Sequence, residues 1–165
     1  MPSLGGKVAV VTGSSQGIGA ALAAALAAEG AKVVVSDIQD CEETARHIAS
    51  LGGEAIAVPA DVTDNTSLAE LMATAEAALG PVSVLVNNAG IFGTLELKPL
   101  TQISEDEWDE VFRVNARGVF QATKAAIPSM KRAGGGSIIN ISSGTILRGA
   151  PMFLIMSAPR ARSSP

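Results

Sequence analysis

The sequence of 165 residues predicts an α/β domain in which helices cover both faces of a parallel sheet. Five short apolar runs, rich in β-branched residues, alternate with longer segments of helical character. Polar residues in these runs lie mainly at or next to the ends, and the apolar interiors are typical of strands buried on both faces. Because crossovers between parallel strands are right-handed, we expect a doubly wound, three-layer α/β/α arrangement with strand order 3-2-1-4-5.

The elements follow one another in strict alternation. Strands are predicted over Val8–Val11, Lys32–Ser36, Ala55–Pro59, Val82–Asn87 and Ser137–Ile141. Helices are predicted over Gln16–Glu29, Glu42–Leu51, Asn65–Leu79 and Glu105–Met130. The fourth helix begins with Ser104 and Glu107, which have the spacing of a capping box. Asn115 and Gly118 are unfavourable in its middle and predict a local kink or a functional backbone position.

Composition and charge exclude several classes of protein. The net charge is −4 and no basic cluster exceeds the pair Lys131-Arg132, which argues against nucleic-acid binding. Cys41 is the only cysteine, so an internal disulfide is excluded and a cytoplasmic location is favoured. The uncharged segment Val8–Ala28 is interrupted by glycines and hydroxyl residues, so we interpret it as neither a signal peptide nor a membrane span. No metal site is predicted.

The turn between the first strand and the first helix is the most informative segment. It reads Thr12-Gly13-Ser14-Ser15-Gln16-Gly17-Ile18-Gly19. Gly13 is expected to supply the turn, Gly17 a close approach of the backbone to a pyrophosphate, and Gly19 the room for the helix to pack on the strand. The helix start offers unpaired N–H groups and a positive dipole end to the same phosphates. Ser15, Gln16 and Ile18 complete the predicted cofactor loop.

An acid at the end of the second strand predicts which dinucleotide binds. Asp37 lies 24 residues after Gly13, where a carboxylate can accept both hydroxyls of the adenosine ribose. The same carboxylate repels a 2′-phosphate by roughly 1–4 kcal/mol at a few ångströms. Gln16 supplies no cation, and no Arg or Lys directly follows Asp37. The sequence therefore favours NAD over NADP.

Polar residues also follow the other strands, where ligands of doubly wound sheets bind. Asp61 could meet the adenine edge, or it could be an acid near a helix N-terminus. Asn87 and Asn88 could brace the strand and leave room for a flat ring, or could form a simple turn. Ser142 and Ser143 place hydroxyl groups in the same crevice, although a serine pair after a strand is often only a cap or turn.

These motifs together resemble the short-chain dehydrogenase/reductase family over about residues 5–154. The likeness rests on Thr12-Gly-x-x-x-Gly-x-Gly19, Asn87-Asn-Ala-Gly90, Asn115 and Asn140-Ile-Ser-Ser143, in this order and spacing. The resemblance implies a Rossmann-like fold and an NAD(P)-dependent oxidoreductase that acts on small-molecule alcohols and ketones, often as a homodimer or homotetramer.

The resemblance also implies roles for individual residues. Ser143 would hydrogen-bond the substrate oxygen, and Asn115 would hold a water in a proton relay. Asp61, Val62, Asn88 and Gly90 would join the glycine loop around the cofactor.

The sequence departs from this family at the catalytic pair. The family's proton donor is a tyrosine that a lysine four residues later activates, and this sequence contains no tyrosine. The usual spacing from Ser143 places the pair at Met156 and Arg160. Loss of a general acid or base typically lowers the rate about 10²–10⁴-fold. His47, the only histidine, is interpreted as a solvated surface residue.

Residues 155–165 are expected to form an aberrant, disordered tail after an incomplete NAD(P)-binding domain over residues 1–154. Synonymous codons for Ile155–Pro165 can be chosen so that a shifted frame restores a tyrosine and a lysine at the family spacing. This motivates the hypothesis of a frameshift, which sequencing of the locus would test. The fifth strand would then be the edge of a sheet truncated after it. The leading prediction is an NAD-dependent oxidoreductase by descent, inactive as given; the alternatives are a non-catalytic NAD-binding module and an unstable fragment.

Overall fold

A computed structural model describes residues 3–91 and 98–143 of the chain. The described strands are β1 (Val8–Thr12), β2 (Lys32–Ser36), β3 (Glu54–Ala57), β4 (Val84–Asn87) and β5 (Ser137–Asn140). They pair in parallel within one sheet of order β3-β2-β1-β4-β5. The predicted α/β class and strand order are therefore confirmed.

Within the described residues, five α-helices connect these strands. They are α1 (Gly17–Ala28), α2 (Glu42–Ser50), α3 (Asn65–Leu79), α4 (Glu105–Phe112) and α5 (Val119–Arg132). A short 3-10 turn, Leu100–Gln102, precedes α4. A π-helical segment, Arg113–Gly118, joins α4 to α5 and is called the π segment below.

The core consists of two apolar layers, one on each face of the sheet. Alternate residues of β1 face opposite layers, so Val10 contributes to one layer and Val11 to the other. The first layer buries helices α3 and α5 against the sheet, and the second buries α1 and α2. All five residues of β1 are buried, as the uninterrupted apolar run predicts.

The prediction of one continuous helix over Glu105–Met130 is wrong, because the backbone changes to π geometry in its middle. Asn115 uses its side-chain amide to bind Ile91, on the loop after β4, rather than to face solvent. A Cβ on Gly118 would lie 2.7 Å from Cγ2 of Val62, so only glycine allows this close approach. The two unfavourable helix residues thus mark the backbone irregularity that they predicted.

The other boundaries differ from the prediction by at most two residues. The capping box of α4 is confirmed, since Glu107 N donates to Ser104 Oγ at 3.2 Å and Ser104 N donates to Glu107 Oε2 at 2.9 Å. β5 is an edge of the described sheet, as expected, and its Ile139 is 44% exposed. The predicted tail over residues 155–165 lies outside the described residues. None of the helices in the described ranges combines the length and apolar character needed to cross a lipid bilayer.

Candidate dinucleotide-binding cleft

A cleft of about 530 Å³ lies beyond the carboxyl ends of the central strands. Its walls come from the loops that follow β1, β2, β3 and β4, and from the junction of α4 with the π segment. Every residue of the predicted cofactor set except Gly19 lines this cleft: Gly13, Ser15, Gln16, Gly17, Ile18, Asp37, Asp61, Val62, Asn88 and Gly90. The position agrees with the crevice in which doubly wound sheets bind ligands.

The three glycines of the first turn meet different requirements. Gly13 and Gly17 have φ angles of +65° and +59°, which other residues adopt only with strain. A Cβ on Gly17 would meet nothing within 4 Å, so its backbone faces the open cleft. A Cβ on Gly19 would lie 2.1 Å from the Gly13 carbonyl oxygen. Gly19 therefore lies behind the cleft, where it lets α1 approach the turn as predicted.

The start of α1 presents its backbone donors to the cleft. Gln16 occupies the N-cap position, and its side chain makes no capping hydrogen bond. The first N–H groups of a helix have no intrahelical acceptor, and the helix dipole places partial positive charge there. An anionic group in the cleft could accept these hydrogen bonds.

Asp37 is oriented at the mouth of the cleft by three donors. Ser15 Oγ and Ser15 N donate to Oδ2 at 2.8 and 3.2 Å, and Gln39 N donates to Oδ1 at 3.2 Å. The buried Thr44 holds the Ser15 carbonyl oxygen from below with a hydrogen bond of 3.1 Å. This carboxylate is therefore fixed on the glycine loop, beside the position expected for the adenosine ribose.

Asp61 lines the cleft and does not cap the helix that follows. The N-cap of α3 is Asp64, whose side chain accepts a hydrogen bond from Thr66 N. Asp61 Oδ1 instead accepts hydrogen bonds from Thr63 N and Thr63 Oγ1, both at 2.8 Å. Asp61 therefore lines the cleft four residues before α3, and Asp64 caps that helix.

The asparagines after β4 brace neighbouring strands. Asn88 Nδ2 donates to the carbonyl oxygens of Thr12 and Gly13 at 3.0 and 2.8 Å. Asn87 Nδ2 donates to Asn140 Oδ1 at 2.8 Å and to Thr123 Oγ1 at 3.2 Å. These contacts connect β4 with β1, β5 and α5, so the bracing interpretation is confirmed and a simple turn is excluded.

The two predicted catalytic residues do not line the cleft. Asn115 Oδ1 accepts a hydrogen bond from Ile91 N at 2.8 Å, and its Nδ2 donates to Ile91 O at 3.1 Å. Ser143 is half-buried, three residues beyond the end of β5. Met156 and Arg160 lie outside the described residues. The structure thus brings the predicted cofactor residues together around one cleft, and neither predicted catalytic residue is among the residues that line it.

Sequence reasoning missed several polar residues that hold the cleft. Ser14 is fully buried, donates to Val11 O at 2.8 Å and accepts from Ser36 N at the same distance. Its position directly after a buried strand was an available signal. Arg113 and Glu110 also line the cleft, but no sequence signal indicates this, because the third partner, Thr63, lies 50 residues earlier.

Cys41 and His47 behave as the sequence suggested. Burial, with the negative charges of Asp37 and Asp40, raises the pKa of the Cys41 thiol to about 11, so it remains protonated and unreactive. His47 is exposed on α2. Within residues 3–91 and 98–143, no three His, Cys, Asp or Glu side chains are grouped so that they could hold a metal ion.

The strand order and the cleft at the strand ends define a Rossmann-like α/β protein. The family model for short chain dehydrogenase matches residues 7–161 of the sequence. The chain belongs to the short chain dehydrogenase family, whose members generally bind nicotinamide cofactors.

Individual relatives agree with this assignment. A short-chain type dehydrogenase/reductase of Picea abies is 39% identical over 168 residues, which cover 96% of this chain and 61% of that protein. A 3-alpha-(or 20-beta)-hydroxysteroid dehydrogenase of Mycobacterium tuberculosis (strain H37Rv) is 47% identical over 140 residues, which cover 84% of this chain and 52% of that protein. A crystal structure assigned as a short-chain alcohol dehydrogenase of Sinorhizobium meliloti 1021 superimposes with a TM-score of 0.87 and 36% identity. The match covers 95% of this chain and 62% of that protein. The chain thus spans between 52% and 62% of the length of these proteins.

Proposed function

We propose that the chain binds NAD in the cleft and that its function is that of an NAD-dependent oxidoreductase, acting on small alcohols and ketones. The observation that carries this proposal is the joint placement of the glycine turn, the uncapped start of α1 and the Asp37 carboxylate around one cleft. NAD, when bound, would supply the hydride acceptor of such a reaction. The residues of the protein would bind the cofactor, orient it and exclude water from it.

The pyrophosphate would lie against the glycine turn. Gly17 leaves its side of the turn open, and the first N–H groups of α1 can donate to phosphate oxygens. On the adenosine side, Asp37 would accept the ribose hydroxyls and Asp61 would face the adenine edge. These residues fit the cofactor because the structure leaves space and donors where phosphates need them.

The charge of the cleft supports NAD over NADP. A 2′-phosphate near Asp37 would be repelled by roughly 1–4 kcal/mol. Arg113 is the only cation among the described lining residues, and Glu110 already binds it through two hydrogen bonds of 2.8 Å. The described lining of the cleft therefore offers no unengaged cation to the 2′-phosphate of NADP.

At the substrate end, we propose that Ser143 hydrogen-bonds the reacting oxygen and that Asn115 holds a water. Ile91 holds the Asn115 amide through one acceptor site and one N–H, and the second lone pair and second N–H would serve that water. π-Helical segments recur at functional sites, and Asn115 lies within one. One relative is a hydroxysteroid dehydrogenase, which supports a hydroxyl–carbonyl pair as the substrate class.

The 165 residues contain no tyrosine, so we propose that they bind the cofactor with little or no turnover. A non-catalytic NAD-binding module is the second candidate function, which the intact cleft favours. We further propose a cytoplasmic location, supported by the single buried thiol, and self-association through the exposed Phe120 and Ile127 of α5.

Fluorescence titration of the purified chain with NADH and NADPH tests the proposal. Asp37→Ala should weaken NADH binding about 10–100-fold, since hydrogen bonds to charged groups contribute about 1.5–3 kcal/mol. The same variant should bind NADPH more tightly than the parent chain does. Asp40→Ala is the matched control, because this exposed acid lies on the same loop but does not line the cleft. A chain that melts cooperatively yet shows no saturable NADH binding would refute the proposal.

A further inference from the structure

Arg113 occupies a position in the cleft that no motif of the sequence assigns. It lies at the start of the π segment and, with Glu110 of α4, lines the wall beside Asp61. Arg113 Nε and Nη2 donate to the two carboxylate oxygens of Glu110, each at 2.8 Å. This two-point contact fixes the plane of the guanidinium group, as is typical of bidentate arginine–carboxylate pairs.

The guanidinium group also reaches the loop after β3. Arg113 Nη1 donates a short hydrogen bond to Thr63 Oγ1. The Thr63 hydroxyl has a single hydrogen, and it donates this hydrogen to Asp61 Oδ1 at 2.8 Å. A chain of directed hydrogen bonds therefore runs from Glu110 through Arg113 and Thr63 to Asp61.

This series of hydrogen bonds leaves one carboxylate oxygen of Asp61 for a ligand. Oδ1 accepts from both Thr63 N and Thr63 Oγ1, while Oδ2 accepts no hydrogen bond from the described residues. Because Asp61 lines the cleft, Oδ2 is the atom that can accept a donor from a bound molecule. Rotation of the carboxylate would break both contacts with Thr63.

A second contact holds the same loop. Gly118, at the far end of the π segment, approaches Val62 so closely that a Cβ would lie 2.7 Å from Val62 Cγ2. Both ends of the π segment thus contact the loop after β3, one through Arg113 and the other through Gly118. The Arg113–Glu110 ion pair is itself solvent-exposed, with side chains 41% and 49% accessible, so its influence on the loop depends on the hydrogen bond from Arg113 to Thr63.

We propose that Arg113, oriented by Glu110, is a positioning residue that fixes Asp61 for recognition of a 6-aminopurine base. This inference rests on the proposed function, since it concerns the adenine end of the same site. The exocyclic amine of adenine is a donor to Asp61 Oδ2. Hypoxanthine presents a carbonyl oxygen at the same place, which would face the carboxylate without a hydrogen between them. Base selectivity therefore depends on a carboxylate that cannot rotate.

The test compares the Kd of NADH with that of reduced nicotinamide hypoxanthine dinucleotide. The parent chain should bind NADH at least tenfold more tightly. Arg113→Met should reduce this ratio about three- to tenfold, and Thr63→Val, which preserves side-chain shape, should do the same. Arg113→Lys should retain part of the selectivity, because it keeps a cation without the forked geometry. Arg117→Met is the matched control, since Arg117 is an exposed arginine of the π segment that does not line this cleft, and it should leave the ratio unchanged.

Each outcome has a definite meaning. An unchanged ratio in a folded Arg113→Met chain overturns the inference and leaves the proposed function standing. Equal weakening of both ligands also overturns it, because that would be a structural effect without base selectivity. If the parent chain binds neither dinucleotide, the proposed function and the inference that rests on it both fail.

Discussion

The two ends of the proposed NAD site are carried by different strands of the described sheet. At the adenosine end, Asp37 accepts two hydrogen bonds from Ser15 of the glycine turn and one from Gln39 of its own loop, and Asp61 accepts two from Thr63 of its own loop. At the substrate end, Asn115 is tied to Ile91, while Ser143 lies in irregular structure three residues beyond an edge strand. The adenosine end is therefore carried by loops that follow buried strands, whereas the substrate end depends on the edge strand β5.

This difference has a physical origin in the topology. The adenosine end is built from loops that follow β1, β2 and β3, and β1 and β2 are almost fully buried. The substrate end depends on β5, which has a neighbour on only one side within the described sheet. We therefore expect this chain to bind the cofactor whether or not it turns over substrate, and variants that disturb the adenosine end should weaken that binding.

The largest expected effect comes from Gly19→Ala, at the base of the adenosine end. The new Cβ would lie 2.1 Å from Gly13 O and 2.6 Å from Asn88 Nδ2, so the glycine turn must shift. We expect a loss of about 3 kcal/mol in the free energy of unfolding, measured by urea denaturation, and loss of saturable NADH binding. Gly52→Ala is the control, because its φ of +85° brings strain without a clash. That control should cost about 1–2 kcal/mol and keep NADH affinity. Equal losses in the two variants would contradict the packing argument.

A smaller effect is expected from Asn88→Ala, which removes the brace between β4 and the glycine turn. Its Nδ2 group donates to Thr12 O and Gly13 O, and these acceptors would lose their partner. Buried acceptors without partners cost about 1–3 kcal/mol, which thermal or urea unfolding would measure. NADH affinity should fall severalfold, since the turn is less well held. Asn65→Ala, an exposed amide at the start of α3, should change neither quantity.

The same contrast explains how much the sequence alone could predict. The strand order and the glycine turn were predictable, because burial, glycine conformation and crossover handedness act over short stretches of chain. The contact between Arg113 and Thr63 was not predictable, since it joins side chains 50 positions apart in the sequence. The helix over Glu105–Met130 was predicted as continuous, because periodicity does not register a π segment that tertiary contacts with Val62 and Ile91 stabilise.

The smallest expected effect concerns the start of α4, the helix that carries Glu110 to the adenosine end. Hydrogen bonding to Lys98 and to Ser104 lowers the pKa of Glu107 from about 4.5 to about 2. A carboxylate with a lowered folded-state pKa stabilises the fold above its unfolded pKa, and this contribution is lost as the pH falls through the folded value. The difference in unfolding free energy between the parent chain and Glu107→Gln should therefore be constant above pH 5 and shrink between about pH 4.5 and pH 2.

Urea unfolding at several pH values would measure that difference, and Lys98→Met provides the companion variant. Lys98 makes the largest contribution to the lowered pKa of Glu107, so its removal should move the loss of stability to higher pH. NADH affinity of the Glu107→Gln chain should change less than in Asn88→Ala, because the capping box supports the cleft only through α4. A Glu107→Gln difference that stays constant from pH 5 to pH 2 would mean that the capping contacts do not persist in solution. Only the loops at the strand ends would then hold the residues of the adenosine end in position.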